Sequence, residues 1–327
     1  MQAIVQTAYG DTTALTLGRV PVPHQPGDEE VLVCVHAAGV DRAVWHLLTG
    51  TPYLLRPVFG LWKPRNAVPG LDLSGRVVAV GRQVTHLRTG DEVFGLGVGA
   101  YAEYALAQAD QVTLRPRRVD AIGASVCAMS GITALQALRK AGPTVAGQKV
   151  LILGASGGVG AYAVQIAKHD GAEVSALCSN AKADFVRGLG ADHVFDYANF
   201  DVGTHEKSYQ TIIDIAGNRP LAQLRRLLTE RGTLVIVGGE HAGPWTSGLG
   251  RQLAAWLLNP FVRQRLIPLI SIVGQEDLQT LAELIDGGWV RPPLDQVFTL
   301  AEAAQAIDHL AQGRVRGKAA IVVTPQA

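Results

Sequence analysis

The sequence is poor in cysteine, and its cysteines do not form recognisable pairs. Cys34, Cys127 and Cys178 are widely separated, and no Cys-X-X-Cys motif occurs. The sequence therefore argues against a structural zinc lobe and against a disulfide framework. Cys34 and Cys178 lie in apolar runs that are typical of strands, so we expect both thiols to be buried and unreactive.

Charge and long apolar runs are also scarce. Charged residues make up 17% of the 327 positions and the net charge is +1, so no global field attracts nucleic acid or an anionic membrane. The nearest candidate for a spanning helix, Leu253 to Ile272, is interrupted by Asn259, Pro260, Arg263, Arg265 and Pro268. The first residues lack the basic start and apolar stretch of a signal peptide. We expect a cytoplasmic protein that binds neither nucleic acid nor membrane.

The chain is rich in apolar residues, at 48% of 327 positions, which is typical of a packed protein with two domains. The first third contains short β-branched runs, at residues 31–35, 77–80 and 92–94, separated by turn signals such as Thr89-Gly90-Asp91. This pattern predicts a small barrel or sandwich.

The middle of the chain alternates between apolar runs and helix-like stretches. The apolar runs are residues 149–153, 174–178, 194–195, 211–215 and 233–237, and the clearest helix-like stretches are residues 161–168 and 221–229. Such alternation predicts a parallel sheet with crossover connections. Leu266 to Val273 is a further run that closes this sheet as an edge strand. The last fifty residues break the alternation, with helical patterns at 277–285 and 301–311 and a strand at 319–323.

A glycine-rich loop lies between the first strand of this alternation and its helix. Its sequence is Gly154-Ala155-Ser156-Gly157-Gly158-Val159-Gly160. Glycine permits a tight turn and lets backbone N–H groups approach a pyrophosphate, and the helix N-terminus adds partial positive charge. A glycine motif alone is weak, but this one has the strand before it and the helix after it that dinucleotide binding requires.

The end of the next strand bears on the choice of dinucleotide. NAD-binding proteins usually place an acid there for the ribose 2′-hydroxyl, but no carboxylate lies between Val174 and Ala183. Ser179 can donate to a 2′-phosphate, and Lys182 can neutralise it. The residues favour NADPH, with the alternative that Lys182 is simply a solvated charge at the start of a helix.

The chain resembles the medium-chain dehydrogenase/reductase superfamily, and within it the zinc-independent quinone oxidoreductase-like branch. The resemblance extends over nearly the whole chain and rests on the order and spacing of several segments. Besides the glycine loop they are residues 37–41 (AAGVD), 68–75 (VPGLDLSG), 89–95 (TGDEVFG), 131–134 (GITA), 189–192 (LGAD) with Asp196-Tyr197, and Gly317-Lys318.

The resemblance implies an α/β fold in which a Rossmann domain, a doubly wound parallel sheet, is inserted into a β-rich GroES-like catalytic domain, with the active site in the cleft. We therefore assign residues 1–123 and 274–327 to the GroES-like domain and residues 124–273 to the Rossmann domain. We also expect a homodimer built by the Rossmann domains, because an apolar edge strand at 266–273 invites pairing.

The zinc ligands of the family's alcohol dehydrogenases are missing. Asp41 replaces a cysteine, Leu71 replaces the histidine of a Gly-His-Glu sequence, and the third cysteine falls near Ala128-Met129-Ser130. Asp41 alone cannot hold a catalytic zinc, which needs three protein ligands. We therefore expect no metal.

Without zinc, another group must stabilise the oxygen that becomes negative during hydride transfer. Asp41 stands where zinc-independent relatives usually have asparagine, and it can orient another group or be held neutral. His46 stands where many relatives have tyrosine and zinc enzymes have a proton-relay histidine, and the ordinary histidine pKa of about 6.5 suits proton transfer. Tyr53 is a third candidate donor. A buried helix histidine and a packed loop tyrosine remain the alternative interpretations, and Asp72 is interpreted as the anchor of a turn.

The resemblance also marks positions along the cofactor. Thr133 stands where relatives contact the nicotinamide. The edge of the cofactor corresponds to Ala216, Gly238 and Gly239. Tyr197 stands near the 2′-phosphate of NADPH-using relatives. The expected activity is NADPH-dependent reduction of a small quinone or α,β-unsaturated carbonyl. A zinc-free alcohol or aldehyde dehydrogenase and a weakly catalytic cofactor-binding protein remain alternatives.

Overall fold

The computed structural model of the protein describes residues 1–239, 243, 245, 246 and 248–324. Backbone contacts divide the chain into two compact units. The first unit contains residues 1–132 and the chain from 273 onward, and the second unit contains residues 133–272. The sequence-based boundary lay after residue 123, and the contacts place it after 132, because residues 121–124 pack against strands of the first unit.

The strands lie in both units. In chain order they are β1 (Gln2–Gln6), β2 (Leu15–Arg19), β3 (Glu30–Val40), β4 (Asp72–Val80), β5 (Glu92–Leu96), β6 (Tyr104–Gln108), β7 (Val112–Leu114), β8 (Lys149–Leu153), β9 (Glu173–Cys178), β10 (His193–Asp196), β11 (Tyr209–Asp214), β12 (Leu228–Ile236), β13 (Arg265–Pro268), β14 (Leu294–Thr299) and β15 (Lys318–Val322).

The α-helices connect or flank these strands. They are α1 (Arg42–Thr49), α2 (Arg56–Phe59), α3 (Ala121–Ala124), α4 (Ala128–Ala141), α5 (Gly158–His169), α6 (Ala183–Gly188), α7 (Leu221–Leu227), α8 (Leu249–Leu258), α9 (Gln275–Asp286) and α10 (Ala303–Ala311).

The first unit is built on a mostly antiparallel sheet with the order β14-β15-β3-β4-β5-β7, and β6 pairs with β3. Along β3, the side chains of Val31, Val33 and Val35 are fully buried, as expected for a strand with one face on a core. The last strand, β15, pairs antiparallel with β3. The two ends of the chain therefore form one sheet, as the resemblance implies.

The second unit contains the parallel sheet with the order β10-β9-β8-β11-β12-β13. This order corresponds to 3-2-1-4-5-6 in the chain order of its own strands, which is that of the doubly wound dinucleotide-binding fold. The strand order reverses between β8 and β11, and ligands of such sheets bind at the carboxyl ends of the strands near that reversal. The predicted fold class is confirmed.

Three expectations about the strands and helices are wrong. The edge strand expected at residues 266–273 is β13, which ends at Pro268. Cys34 is half-buried, whereas Cys127 and Cys178 are buried, because Cys34 points to the opposite face of β3 from Val33 and Val35. The helix expected at 221–229 ends at Leu227, because Leu228 already pairs with Tyr209 as the first residue of β12.

Candidate active site

The glycine-rich turn after β8 has the geometry of a phosphate-binding loop. Gly154 has a φ of +83°, in a region that residues with side chains rarely adopt. A Cβ on Gly160 would lie 2.2 Å from the carbonyl oxygen of Gly154, so only glycine allows this approach. Gly157 is the N-cap of α5 and makes no side-chain cap. The first N–H groups of the helix can therefore bind a phosphate, and this turn fits the pyrophosphate of a dinucleotide.

The other predicted residues of the loop surround this turn. Ala155 and Ser156 lie in the turn, and Gly158 and Val159 are the first two residues of α5. The backbone N–H of Ala155 donates to the carbonyl oxygen of Leu177, 3.1 Å away, which joins the turn to the end of β9. The loop is thus fixed between two neighbouring strands.

The ends of β11 and β12 meet the same turn. A Cβ on Gly154 would lie 3.2 Å from the backbone nitrogen of Ala216, and one on Gly238 would lie 2.1 Å from the carbonyl oxygen of Ile215. A Cβ on Gly217 would lie 2.5 Å from the Cα of Gly239. The structure therefore brings Ala216, Gly238 and Gly239 together beside the glycine loop. Thr133 is buried in the middle of α4, in the same unit.

A buried ion pair fixes the turn after β11, and sequence analysis did not identify it. Asp214 is fully buried; its Oδ1 accepts the N–H of Gly217 at 3.1 Å, and its Oδ2 pairs with the guanidinium of Arg251 in α8. Burial raises the pKa of Asp214, and Arg251 opposes that shift. The only sequence signal was an acid at a strand end, which does not reveal a partner in a helix 37 residues away.

Ser179, Lys182 and Tyr197 lie at the carboxyl ends of two neighbouring strands. Ser179 follows β9 and precedes a 3-10 helix at Asn180–Lys182, and its side chain does not cap that helix. Tyr197 follows β10, and its backbone N–H donates to the carbonyl oxygen of Cys178, 3.0 Å away. The Tyr197 side chain is half-exposed. Burial raises the pKa of the Cys178 thiol, and the positive charge of Lys182 opposes that shift.

Arg219 joins this group, and sequence analysis did not consider it. It lies in the segment between β11 and α7, and its Nη2 donates to the carbonyl oxygen of Tyr197 at 2.9 Å. The guanidinium also packs over the ring of Phe200, 5.3 Å from its centroid. A cation soon after a Gly-Asn pair was visible in the sequence, but its contact with the segment after β10 was not.

In the first unit, Asp41 is the N-cap of α1. Its Oδ1 accepts the N–H of Val44 at 3.2 Å, and the residue is 5% exposed. Its Oδ2 is buried and has no hydrogen-bond partner among the residues that the structure describes. Asp41 therefore combines a structural role at the helix start with a buried carboxylate oxygen that has no hydrogen-bond donor in the described part of the chain.

His46 and Tyr53 follow Asp41 in the chain. His46 lies in α1, and its carbonyl oxygen accepts the N–H groups of Gly50 and Thr51 where the helix ends. Tyr53 begins a short 3-10 helix, and the guanidinium of Arg56 lies 4.5 Å from its ring centroid. The aromatic face of Tyr53 is thus engaged by a cation.

Asp72 was expected to anchor a turn. In the structure it begins β4 and forms a buried ion pair instead. Its Oδ2 lies 3.1 Å from the Nζ of Lys318, and its Oδ1 accepts the N–H of Met129. Asp72 and Lys318 are 0% and 2% exposed. Burial, opposed by the charge of Lys318 and assisted by that of Asp41, raises the pKa of Asp72 to about 6. Burial, with the charges of Asp41 and Asp72, also raises the pKa of the Tyr101 hydroxyl.

Comparison with known proteins identifies the family. Residues 27–117 match the model of the alcohol dehydrogenase GroES-like domain, and residues 189–321 match that of the zinc-binding dehydrogenase. The chain is 31% identical to the chloroplast envelope quinone oxidoreductase homolog of Arabidopsis thaliana, over 99% of this chain and 98% of that protein. The chain belongs to the medium-chain dehydrogenase/reductase superfamily.

Further relatives place this superfamily member in the quinone oxidoreductase-like branch. It is 28% identical to the 2-methylene-furan-3-one reductase of Solanum lycopersicum, over 99% of this chain and 80% of that protein. The solved structure of the quinone oxidoreductase from Coxiella burnetii has a TM-score of 0.85 and 28% identity, and the match covers 99% of both chains. The predicted family is confirmed, and the protein is an oxidoreductase.

The donor set at the family's zinc position does not fit a catalytic zinc. Leu71 has no ligating atom, and Asp41 already uses one carboxylate oxygen to cap α1. Within the part of the chain that the structure describes, no group of three or more His, Cys, Asp or Glu side chains is arranged to hold a metal ion. In the same residues, no helix combines the length and the apolar character that crossing a membrane requires.

Proposed function

We propose that this protein is a zinc-independent, NADPH-dependent reductase of quinones or α,β-unsaturated carbonyl compounds. One observation carries the proposal: a glycine turn built for a pyrophosphate lies beside a strand end that offers Ser179 and Lys182 and no acid. The relatives named for quinone and enone reduction support the acceptor class.

The dinucleotide is held by the second unit. The Gly154–Gly160 turn and the start of α5 bind the pyrophosphate, and the backbone at Ala216, Gly238 and Gly239 leaves room for the ribose beside it. Ser179, Lys182 and Tyr197 bind the 2′-phosphate, and Thr133 contacts the nicotinamide. Asp214 and Arg251 hold the turn at Gly217 in place, so they position these groups without contacting the acceptor.

When bound, NADPH supplies a hydride, which together with one proton reduces a quinone to a hydroquinone or an enone to a saturated ketone. The chain must supply the proton and stabilise the oxygen that becomes negative. We assign proton supply to Asp41, His46 and Tyr53 as a group. The buried cluster of Asp41, Asp72 and Lys318 has two carboxyl groups for one ammonium group, so either a proton or an uncompensated negative charge remains there. Because the pKa of Asp72 is raised to about 6, the cluster holds this proton below that pH and loses it above.

The donor set supports zinc independence. Zinc relatives polarise the substrate oxygen with a metal that needs three protein ligands, and the positions of two of them carry Asp41 and Leu71. Reduction of a conjugated acceptor is easier without a Lewis acid than reduction of an isolated carbonyl. The acceptors are therefore quinones and enones rather than simple aldehydes.

Oxidation of NADPH and NADH with a panel of quinones, enones and simple aldehydes tests the proposal. The expected result is rapid NADPH oxidation with quinones or enones, slower oxidation with NADH, and little with aldehydes. Reduction of aldehydes alone would support a dehydrogenase of another type. Cofactor binding without turnover of any acceptor would support a binding protein.

A further inference from the structure

Arg219 connects two segments that the sheet order keeps apart. Arg219 follows β11 and Tyr197 follows β10, and β8 and β9 lie between those two strands. Adjacent strands are about 4.8 Å apart, so the loop and the long side chain of Arg219 must extend across to reach the Tyr197 carbonyl oxygen. The contact therefore lies at the carboxyl end of the sheet, beside the strand ends where such folds bind dinucleotides.

The Arg219 guanidinium has N–H donors beyond the one that binds the Tyr197 carbonyl oxygen. Nη2 donates to the Tyr197 carbonyl oxygen, and the plane of the group packs on Phe200. Among the described residues, no carboxylate oxygen lies within 4.0 Å of the Arg219 guanidinium. Guanidinium has five N–H donors in a planar fork, a shape that matches phosphate.

Asp196 and Asp214, the acids that end β10 and β11, have other partners. Asp196, which ends β10, accepts the N–H of Ala198 at 3.2 Å and the side-chain amide of Asn199 at 3.3 Å. Asp214 senses the charge of Arg219, but it is paired with Arg251. The positive charge of Arg219 is thus left uncompensated at the strand ends where Ser179 and Lys182 lie.

We propose that Arg219 is a second cation of the 2′-phosphate site and a determinant of NADPH preference. The Tyr197 carbonyl oxygen fixes the orientation of the guanidinium, and the remaining N–H groups bind the phosphate monoester on the ribose. Lys182 approaches the same phosphate from the segment after β9. This inference rests on the proposed use of NADPH.

The role of Arg219 is tested by comparing ligands that carry the 2′-phosphate with ligands that lack it. The full chain and its Arg219→Ala, Arg219→Lys and Arg226→Ala variants are titrated with NADPH, NADH, adenosine 2′-monophosphate and adenosine 5′-monophosphate. Arg226 is the matched control, because its guanidinium is exposed on α7 and paired with Glu206, and its loss changes the net charge equally. Repeating the NADPH titrations at two salt concentrations measures the charge contribution directly.

Arg219→Ala should weaken NADPH and adenosine 2′-monophosphate about tenfold and change NADH and adenosine 5′-monophosphate less than about twofold. Arg219→Lys should recover part of the loss, Arg226→Ala should behave as wild type, and the NADPH affinity of Arg219→Ala should depend less on salt. Equal losses for all four ligands would show that Arg219 only supports the fold, and an unchanged NADPH affinity would show that it does not reach the phosphate.

The two proposals fail in different ways. A wild type that binds NADH as tightly as NADPH overturns the cofactor assignment itself. A wild type that prefers NADPH, with an Arg219→Ala variant that keeps the full preference, overturns only the role of Arg219.

Discussion

In the proposed function, cofactor choice depends first on Lys182. A charge-assisted hydrogen bond to a 2′-phosphate contributes on the order of 1.5–3 kcal/mol, and each 1.4 kcal/mol is about tenfold in binding. Lys182→Ala should therefore weaken NADPH by about tenfold and leave NADH nearly unchanged. Ser179→Asp should reverse the preference, because it repels the phosphate and offers an acceptor to the ribose hydroxyl. Titration of both variants with both cofactors checks this.

Lys149→Ala is the control for that experiment, since Lys149 begins β8 at the opposite end of the sheet. It removes the same charge without approaching the cofactor. A Lys182→Ala variant that loses NADH and NADPH equally would contradict the prediction, because Lys182 would then act on the shared part of the ligand or on the fold.

The raised pKa of Asp72 makes the free energy of unfolding depend on pH. Its folded pKa of about 6 lies above the ordinary 3.8, so the folded state holds this proton more tightly than the unfolded state does. The contribution to the free energy of unfolding is present below pH 3.8 and is lost as pH rises from there through 6. It is on the order of 3 kcal/mol.

Urea unfolding of wild type and Asp72→Asn between pH 4 and 7 measures this contribution. The stability of wild type relative to the variant should fall as the pH rises through that window. Parallel curves for the two proteins would contradict the raised pKa.

At the scale of elements, the turn between β8 and α5 tolerates no Cβ at Gly160. Gly160→Ala would place that atom 2.2 Å from the Gly154 carbonyl oxygen, so the turn must open. Binding of NADPH and NADH should fall together by at least about tenfold, since both share the pyrophosphate. Calorimetric titration checks this. Gly188→Ala, which adds a Cβ into open space at the end of α6, should bind normally, and loss of NADPH alone in Gly160→Ala would contradict the account.

We predict a homodimer because β13 forms an edge of the parallel sheet. The strand is shorter than expected, ending at Pro268, but the residues after it expose Ile270 at 80% and Ile272 at 73%. An apolar edge of this kind favours pairing with a second copy. Light scattering should show a dimer at micromolar concentration, Ile270→Lys should shift it towards monomer, and Val145→Lys, at another exposed apolar position, should not. A monomeric wild type would contradict the prediction.

The sequence predicts strands and helices where a local run of apolar residues determines them. The apolar runs at residues 31–35, 149–153 and 174–178 lie in β3, β8 and β9, because such runs are buried on one or both faces of a sheet. The partners of single side chains were not predictable, because they join distant segments. Asp72 and Lys318 are 246 residues apart in the chain, and Arg219 reaches Tyr197 from a loop that follows a different strand. Sequence analysis therefore located the phosphate loop but missed Arg219, Arg251 and the pairing of Asp72.

For the whole molecule, we propose that hydride passes from NADPH to a conjugated acceptor without zinc. In that proposal no step depends on a metal, because Asp41 and Leu71 stand where zinc relatives have two of their three ligands. Removal of metal should then leave the reaction unchanged.

The most direct test is a single turnover with NADPH deuterated at C4 of the nicotinamide, using protein whose metal has been removed by a chelator and verified by elemental analysis. Both C4-deuterated stereoisomers of NADPH are tried with an enone acceptor. With one of them, mass spectrometry should find one deuterium at the β-carbon of the product, at the same rate before and after chelation. A product without deuterium from either isomer, or turnover that returns only when zinc is added back, would contradict the account.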